Sequence, residues 1–195
     1  RRKPIKIESS TIVPLLQRNA HMQFPVLIGC LVSLREWNDQ EYSLSIIDAI
    51  APAAAKTVSQ LKSPEHDIPI LINEFLALHI DASNITPGME LFLQAMVNKL
   101  RENPVNCTPK RVAKAFLGIQ GMDSNVPVVR SIMKELSAIA RRCQSPFYVY
   151  FTMQLLSSLA FKKSDCAETL EYVQAITDVV RRTNEEFPPE KVAEA

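Results

Sequence analysis

The chain has 195 residues, is 47% hydrophobic and carries a formal net charge of +1. That apolar content excludes a disordered chain, and the length allows one substantial core or one elongated array. The near-balanced charge removes the simplest case for nucleic acid, a strongly basic domain, though it leaves room for a local basic patch. Few glycines and aromatics beside abundant Leu, Ile, Val, Ala and Met favour helices over sheets.

In chain order, RRKPIKIESS over residues 1–10 reads as a frayed basic lead-in, and a partial helix is predicted from about Ile12 to Arg18. Apolar residues then recur at three- and four-residue spacing almost everywhere, the mark of amphipathic helices. Short polar joints interrupt them near Asn19-Ala20, Asn38-Asp39, Ser63-Pro64, Asp81 to Asn84, Asn103-Pro104, Asp123 to Asn125, Gln144-Ser145 and Ser164-Asp165. The segments between have the usual length of globular helices. Thr86-Pro87, Thr108-Pro109 and Ser145-Pro146 each set an N-cap hydroxyl before a proline at the first helical position, and Asn125-Val126-Pro127 is a near variant. Ser164-Asp165 is placed to cap the last long helix. Pro52 lies inside an apolar run and predicts a kink or break at Ala51. No segment alternates at period two and no hairpin signal is present. Residues 184–195 read as a tail or short helix, and a start at Arg1 rather than Met reads as a piece of a longer chain.

A short motif recurs: LVSL at 31–34, FLAL at 75–78, FLGI at 116–119 and LSSL at 156–159. Its third position is small each time: Ser33, Ala77, Gly118 and Ser158. In the last two occurrences the register of 40 continues through Leu136 and Ile176 to Arg141-Arg142 and Arg181-Arg182. The prediction is an all-α fold, an α-solenoid of about four stacked helix-turn-helix units near 22–60, 67–101, 108–143 and 145–183. Together they make one domain over 11–183. The small positions are expected to be buried where helices approach closely. Gly118 is predicted to lie inside a helix, and Gly121 to be its left-handed C′ residue.

The stretch VAKAFLGIQGMDSNVPVVRSIMKELSAIA, through Ala115 to Met122, Asp123-Ser124 and Val128-Val129-Arg130, resembles a degenerate repeat of protist organellar proteins. It is distantly similar to octotricopeptide, heptatricopeptide and pentatricopeptide repeats, and in general design to HEAT and armadillo repeats. The resemblance implies a mitochondrial location and a scaffold subunit of an RNA-processing or RNA-editing complex of the kinetoplastid kind. Other protein subunits are then the partners, and RNA is a candidate ligand.

Nothing reads as an enzyme, and the expectation is no catalytic residue, cofactor or metal. His21, His66 and His79 lie in different segments, and four scattered glycines make no phosphate loop. Asp81 to Asn84 lacks calcium-loop spacing. The sequons at Asn84 and Asn106 read as helix caps. Cys30, Cys107, Cys143 and Cys166 form no C-x-x-C pair and read as reduced thiols of an intracellular protein. No apolar stretch approaches the roughly 20 residues that span a membrane, and no small-molecule substrate is expected.

The candidate contacts to RNA or partner proteins are cations and one aromatic. Lys110, Arg111 and Lys114 share a helix face, Arg141 and Arg142 recur at Arg181-Arg182, and Lys162 and Lys163 fill a joint. Such a row can follow a phosphate backbone. The competing reading is that arginines in a last turn complement the helix dipole, while Glu135, Asp165, Glu168, Glu171 and Asp178 dilute the field. In SPFYVYF, Phe147 and Phe151 read as core, leaving Tyr148 or Tyr150 to stack on a base or anchor a partner.

Overall fold

The computed structural model describes residue 14 and residues 22–36, 39–102, 107–160, 162 and 166–183. The lead-in, most of the helix expected at 12–18, the Ser164-Asp165 cap, Lys163 and the tail over 184–195 lie outside the described residues. Among the described residues eight α-helices follow one another: α1 (Phe24–Glu36), α2 (Gln40–Ser59), α3 (Pro64–Asn73), α4 (Pro87–Glu102), α5 (Pro109–Gly118), α6 (Pro127–Arg142), α7 (Val149–Ser157) and α8 (Ala167–Arg181). Among the described residues the sole β feature is one parallel bridge, Ile80 to Met122.

Each helix packs on its sequence neighbour within the pairs α1/α2, α3/α4, α5/α6 and α7/α8. Contacts also run α2 to α4 to α6 to α8, and α3 to α5 to α7. Even-numbered helices therefore line up in one row and α3, α5 and α7 in another. Helices α4 and α6 bury one stripe each, Met89, Phe92, Leu93, Met96 and Val97 on the first and Val128, Val129, Ile132, Met133 and Leu136 on the second. These are the i, i+3, i+4 positions of amphipathic helices, and burying them supplies most of the stability of such elements.

Polar links tie equivalent positions of successive pairs, at separations of 39 to 43 residues. Gln40 Nε2 donates to the His79 carbonyl, and Lys99 Nζ donates to the Ser59 carbonyl. The guanidinium of Arg182 donates to the carbonyls of Cys143 and Ala140. The helix-end carbonyls that a helix leaves without partners are thus met by the next helix of the row.

Prolines inside helices take part in these links. The missing N–H of Pro52 frees the Asp48 carbonyl and that of Pro69 frees the Glu65 carbonyl, four residues back. Helix α2 nonetheless runs unbroken through Pro52, so of the kink or break expected at Ala51 the break does not occur. Gly88 stacks on the freed Asp48 carbonyl, where a Cβ would come within 2.9 Å, and its N–H donates to Asp48 Oδ1 at 3.0 Å. The Glu65 carbonyl accepts from Cys107 Sγ at 3.3 Å. Burial pushes the Cys107 thiol up to about 11, with Arg111 pulling the other way, so it stays protonated and able to donate.

Gly118 is the last residue of α5 rather than an interior one. A Cβ there would overlap the Ile72 carbonyl and lie 2.6 Å from Asn73 Cα, so this glycine lets α5 cross the end of α3 in backbone contact. Ser158 is fully buried against Tyr172 of α8, with 2.6 Å between hydroxyls, and Tyr172 stacks on Phe116 at 4.6 Å. Ser33 and Ala77, expected to be buried in the same role, are both exposed. Helix α3 ends at Asn73, before the FLAL motif, so Ala77 sits in the following turn; Ser33 lies on the outer side of the first helix pair, its hydroxyl donating to the Gly29 carbonyl. Gly121 is not left-handed either. It is small because the Leu78 carbonyl lies against it, where the Ile80 N–H donates to the Gly121 carbonyl and the Asp123 N–H to the Ile80 carbonyl.

Ser145-Pro146 does not start α7. The chain stays non-helical to Tyr148, with a bend at Ser145, and Phe147, 1% exposed, is anchored in the core. Thr86 is a true cap, accepting from the Met89 N–H at 3.1 Å, whereas Thr108 makes no side-chain cap bond.

Candidate nucleic-acid and partner interface

Parallel rows bring like helix ends together. Lys99, at the end of α4, reaches the end of α2, and Arg182, just past α8, reaches the end of α6. The start of α5 lies at the same edge, because Arg111 and Arg142 both act on the buried Cys107 thiol. The last turns of the even-numbered helices carry Lys56, then Lys99 and Arg101, then Arg141 and Arg142, then Arg181. Lys110 and Lys114 add to this edge from the exposed side of α5. The opposite ends carry Glu41, Glu90 and Glu168 in first turns, with Asp81 and Asp123 in the joints. The even-numbered helices place charge to suit their own dipoles, and their parallel stacking adds these placements into a mainly basic and a mainly acidic edge; Lys110 and Arg111 at the start of α5 oppose that helix's dipole, and Glu65 and Asp67 at the start of α3 and Glu102 at the end of α4 lie among the cations.

The predicted residues divide into three groups. Lys110 and Lys114 are exposed one turn apart, with Arg111 half-buried between them; Arg142 is exposed at the end of α6. Arg141 is exposed and donates to the Glu171 carbonyl at 3.3 Å. These five share the basic edge. Tyr148, 59% exposed, opens α7 at that edge and meets the Phe151 ring edge-on at 6.2 Å; Tyr150 is 68% exposed and its hydroxyl accepts from Gln154.

Lys162 stands apart. Its ammonium donates to the carbonyls of Ile119 at 2.7 Å, Met122 at 2.5 Å, Ala160 at 3.3 Å and Gln120 at 3.4 Å. It clips the joint after α7 to the joint after α5, at the acidic edge. Burial draws its pKa down to about 8, against the pull of Asp123. Lys163 lies outside the described residues.

Sequence reading missed Lys56, Lys99 and Arg101 as members of the edge, although the signal was present: each lies in the last turn of a second helix, as Arg141-Arg142 do. Several edge cations are engaged. Arg101 pairs with Glu135 at 2.7 Å, Lys99 holds the Ser59 carbonyl, and Arg182 holds the end of α6.

For catalysis the described residues offer little that converges. His66 faces Asp67 at 2.9 Å on an exposed turn, and His79 is exposed on another element. A hollow lined by Met22, Phe24, Thr57 and Leu61 has no His, Cys or carboxylate in its wall. Among the described residues no group of three His, Cys, Asp or Glu is placed to hold a metal ion, and no helix is long and apolar enough to cross a membrane. Asp81 Oδ1 is taken by Ser83 and Asn84 donors, which hold its carboxyl below the usual carboxylate range.

No protein-family model matches this chain, and no curated protein or solved structure matches it at a significant level.

Proposed function

We propose that the chain is a non-catalytic α-solenoid, four stacked helix-turn-helix units that hold protein subunits together and lay a basic edge against RNA. The observation that carries this reading is the row of cations: Lys99, Arg101, Lys110, Arg111, Arg141 and Arg142 gather at one edge of the stacked helices, with Tyr148 beside them. The recurrence of polar links at 39 to 43 residues supports the repeat. A periodic row of cations matches a polyanion whose charges are also periodic, and an exposed tyrosine offers a stacking surface for an unpaired base. The resemblance of residues 115–130 to organellar repeats supports a place in a mitochondrial RNA-processing or RNA-editing complex.

A second reading, a protein-only adaptor of the HEAT or armadillo type, is favoured by one observation. Edge cations such as Arg101 and Arg182 already have protein partners, and the net charge is only +1. Co-purification from cells with and without RNase separates the two. Loss of associated proteins on RNase treatment supports an RNA-held assembly; an unchanged set of partners supports the adaptor.

A further inference from the structure

The register that relates α5 to α7 carries cations onto aromatics. Forty residues separate Lys110 from Tyr150, Arg111 from Phe151 and Thr108 from Tyr148. Lys110 and Tyr150 are both exposed, and Arg111 and Phe151 are both half-buried, so the two helices turn these positions to solvent in the same way. Helices α5 and α7 are packed neighbours in their row, and packed helices lie about 8–10 Å apart. The first turn of α5 is therefore a cationic surface at the basic edge, and the first turn of α7 beside it is an aromatic one. Helix α7 carries no Asp, Glu, Lys or Arg, so what it adds to this edge is π surface and not charge.

The rings of that surface are held in place. Of the four tyrosines, Tyr42 and Tyr172 lie in the core, 8% and 0% exposed, whereas Tyr148 and Tyr150 are 59% and 68% exposed. Both exposed rings meet Phe151 edge-on, Tyr148 at 6.2 Å and Tyr150 at 5.6 Å between centroids. Phe151 in turn packs against the core, and Gln154 Nε2 donates to the Tyr150 hydroxyl at 3.1 Å. Two flat faces thus stand open to solvent on an anchored support, and rings ordered in advance lower the entropy lost on binding.

We propose that Tyr148 and Tyr150 form a base-stacking subsite that continues the α5 cations, so that one single strand of RNA lays phosphate on Lys110 and Lys114 and stacks an unpaired base on the tyrosines. This inference rests on the reading of the edge as an RNA surface and narrows it. The phosphates of a duplex reach the lysines equally well, but paired bases stack on one another and hide their faces, so the tyrosines select against duplex. Every base has a π face, so the selection is for strandedness, with little preference for sequence.

The test is fluorescence anisotropy with a labelled single strand of RNA and a matched RNA duplex, on the unmodified chain and two double variants. The unmodified chain should bind the single strand more tightly than the duplex. Tyr148→Ala with Tyr150→Ala should weaken single-strand binding by at least about fivefold, the loss for one stacked base, and leave duplex binding and the salt slope as they are, since no charge is removed. Tyr148→Phe with Tyr150→Phe keeps both rings and should bind within about twofold of the unmodified chain. Equal affinity of the unmodified chain for the two RNAs, or a double alanine variant that loses nothing, would overturn the subsite while leaving the basic edge as an RNA surface. Loss of protein partners from the double alanine variant in cells, with single-strand affinity unchanged, would overturn it as well and assign the rings to a protein. An unmodified chain that binds neither RNA would remove the RNA reading itself, and the subsite with it.

Discussion

Replacing Gly118 with alanine adds one methyl group where α5 crosses the end of α3. That methyl would overlap the Ile72 carbonyl and stand 2.6 Å from Asn73 Cα, against an ordinary contact of 3.4 to 4 Å. The obstacle is backbone, which has no alternative rotamer, so the two helices must separate by roughly 1 Å and loosen neighbours such as Phe116 and Ile72, whose dispersion contacts fall off steeply with distance. Overpacking of this kind costs about 1–3 kcal/mol, and a backbone obstacle places it near about 3 kcal/mol. Alanine's better helix propensity returns less than about 1 kcal/mol, because Gly118 is the terminal helical residue. At about 2–4 °C per kcal/mol for a chain of this size, the melting temperature should fall by roughly 4–12 °C. Gly29→Ala is the matched control. Gly29 is exposed inside α1 and an added Cβ meets nothing within 4 Å, so this change should raise stability by about 0.5–1 kcal/mol. Thermal melts followed by far-ultraviolet circular dichroism read both. A Gly118→Ala protein that melts at or above the temperature of the unmodified chain would refute the close-contact role.

Cys107→Ala should cost about 1–3 kcal/mol in urea denaturation, because it leaves the carbonyl freed by Pro69 without a donor; Cys107→Ser, which keeps a donor, should lose less, and equal losses would dismiss the hydrogen bond. Lys162 makes a pH-dependent prediction. Its folded pKa of about 8 lies below the ordinary lysine value of 10.5, so between these values the unfolded chain holds the extra proton and stability rises with pH. The gain is at most about 3 kcal/mol. Lys162→Met should abolish that rise between pH 8 and 10.5 without changing RNA affinity, and parallel pH profiles for the two proteins would show that the ammonium is not buried as described.

The helices were legible because their signals are local. Apolar spacing, and prolines at the first helical position of α4, α5 and α6, mark elements regardless of what packs on them. The small-residue motif was legible in half of its occurrences. Gly118 and Ser158 are read correctly as buried contacts, but Ser33 and Ala77 share the pattern without the role, since a tetrapeptide does not encode where its helix ends. Gly121 shows the same limit: its requirement comes from the Leu78 carbonyl, 43 residues away in sequence, not from its own φ. Lys162 looked like one more surface cation because sequence does not reveal which carbonyls a folded joint will turn inward. The basic edge was partly visible in the arginine pairs. Its extension through Lys99 and Arg101 depends on the parallel stacking of the even-numbered helices, a tertiary fact.

Salt titration of RNA binding tests the central claim most directly. Fluorescence anisotropy with a labelled single-stranded RNA should give a log affinity that falls linearly with log salt, by about 0.7 for each phosphate neutralised. The triple change Lys110→Gln, Lys114→Gln, Arg142→Gln should weaken binding across unrelated RNA sequences and flatten the slope by about 2, since phosphate contacts carry no base information. Its melting temperature should stay close to that of the unmodified chain, because exposed helix charges contribute little to stability. No measurable RNA affinity at low salt, or a triple variant with an unchanged slope, would contradict the account and leave the edge as a solvated face of a protein adaptor.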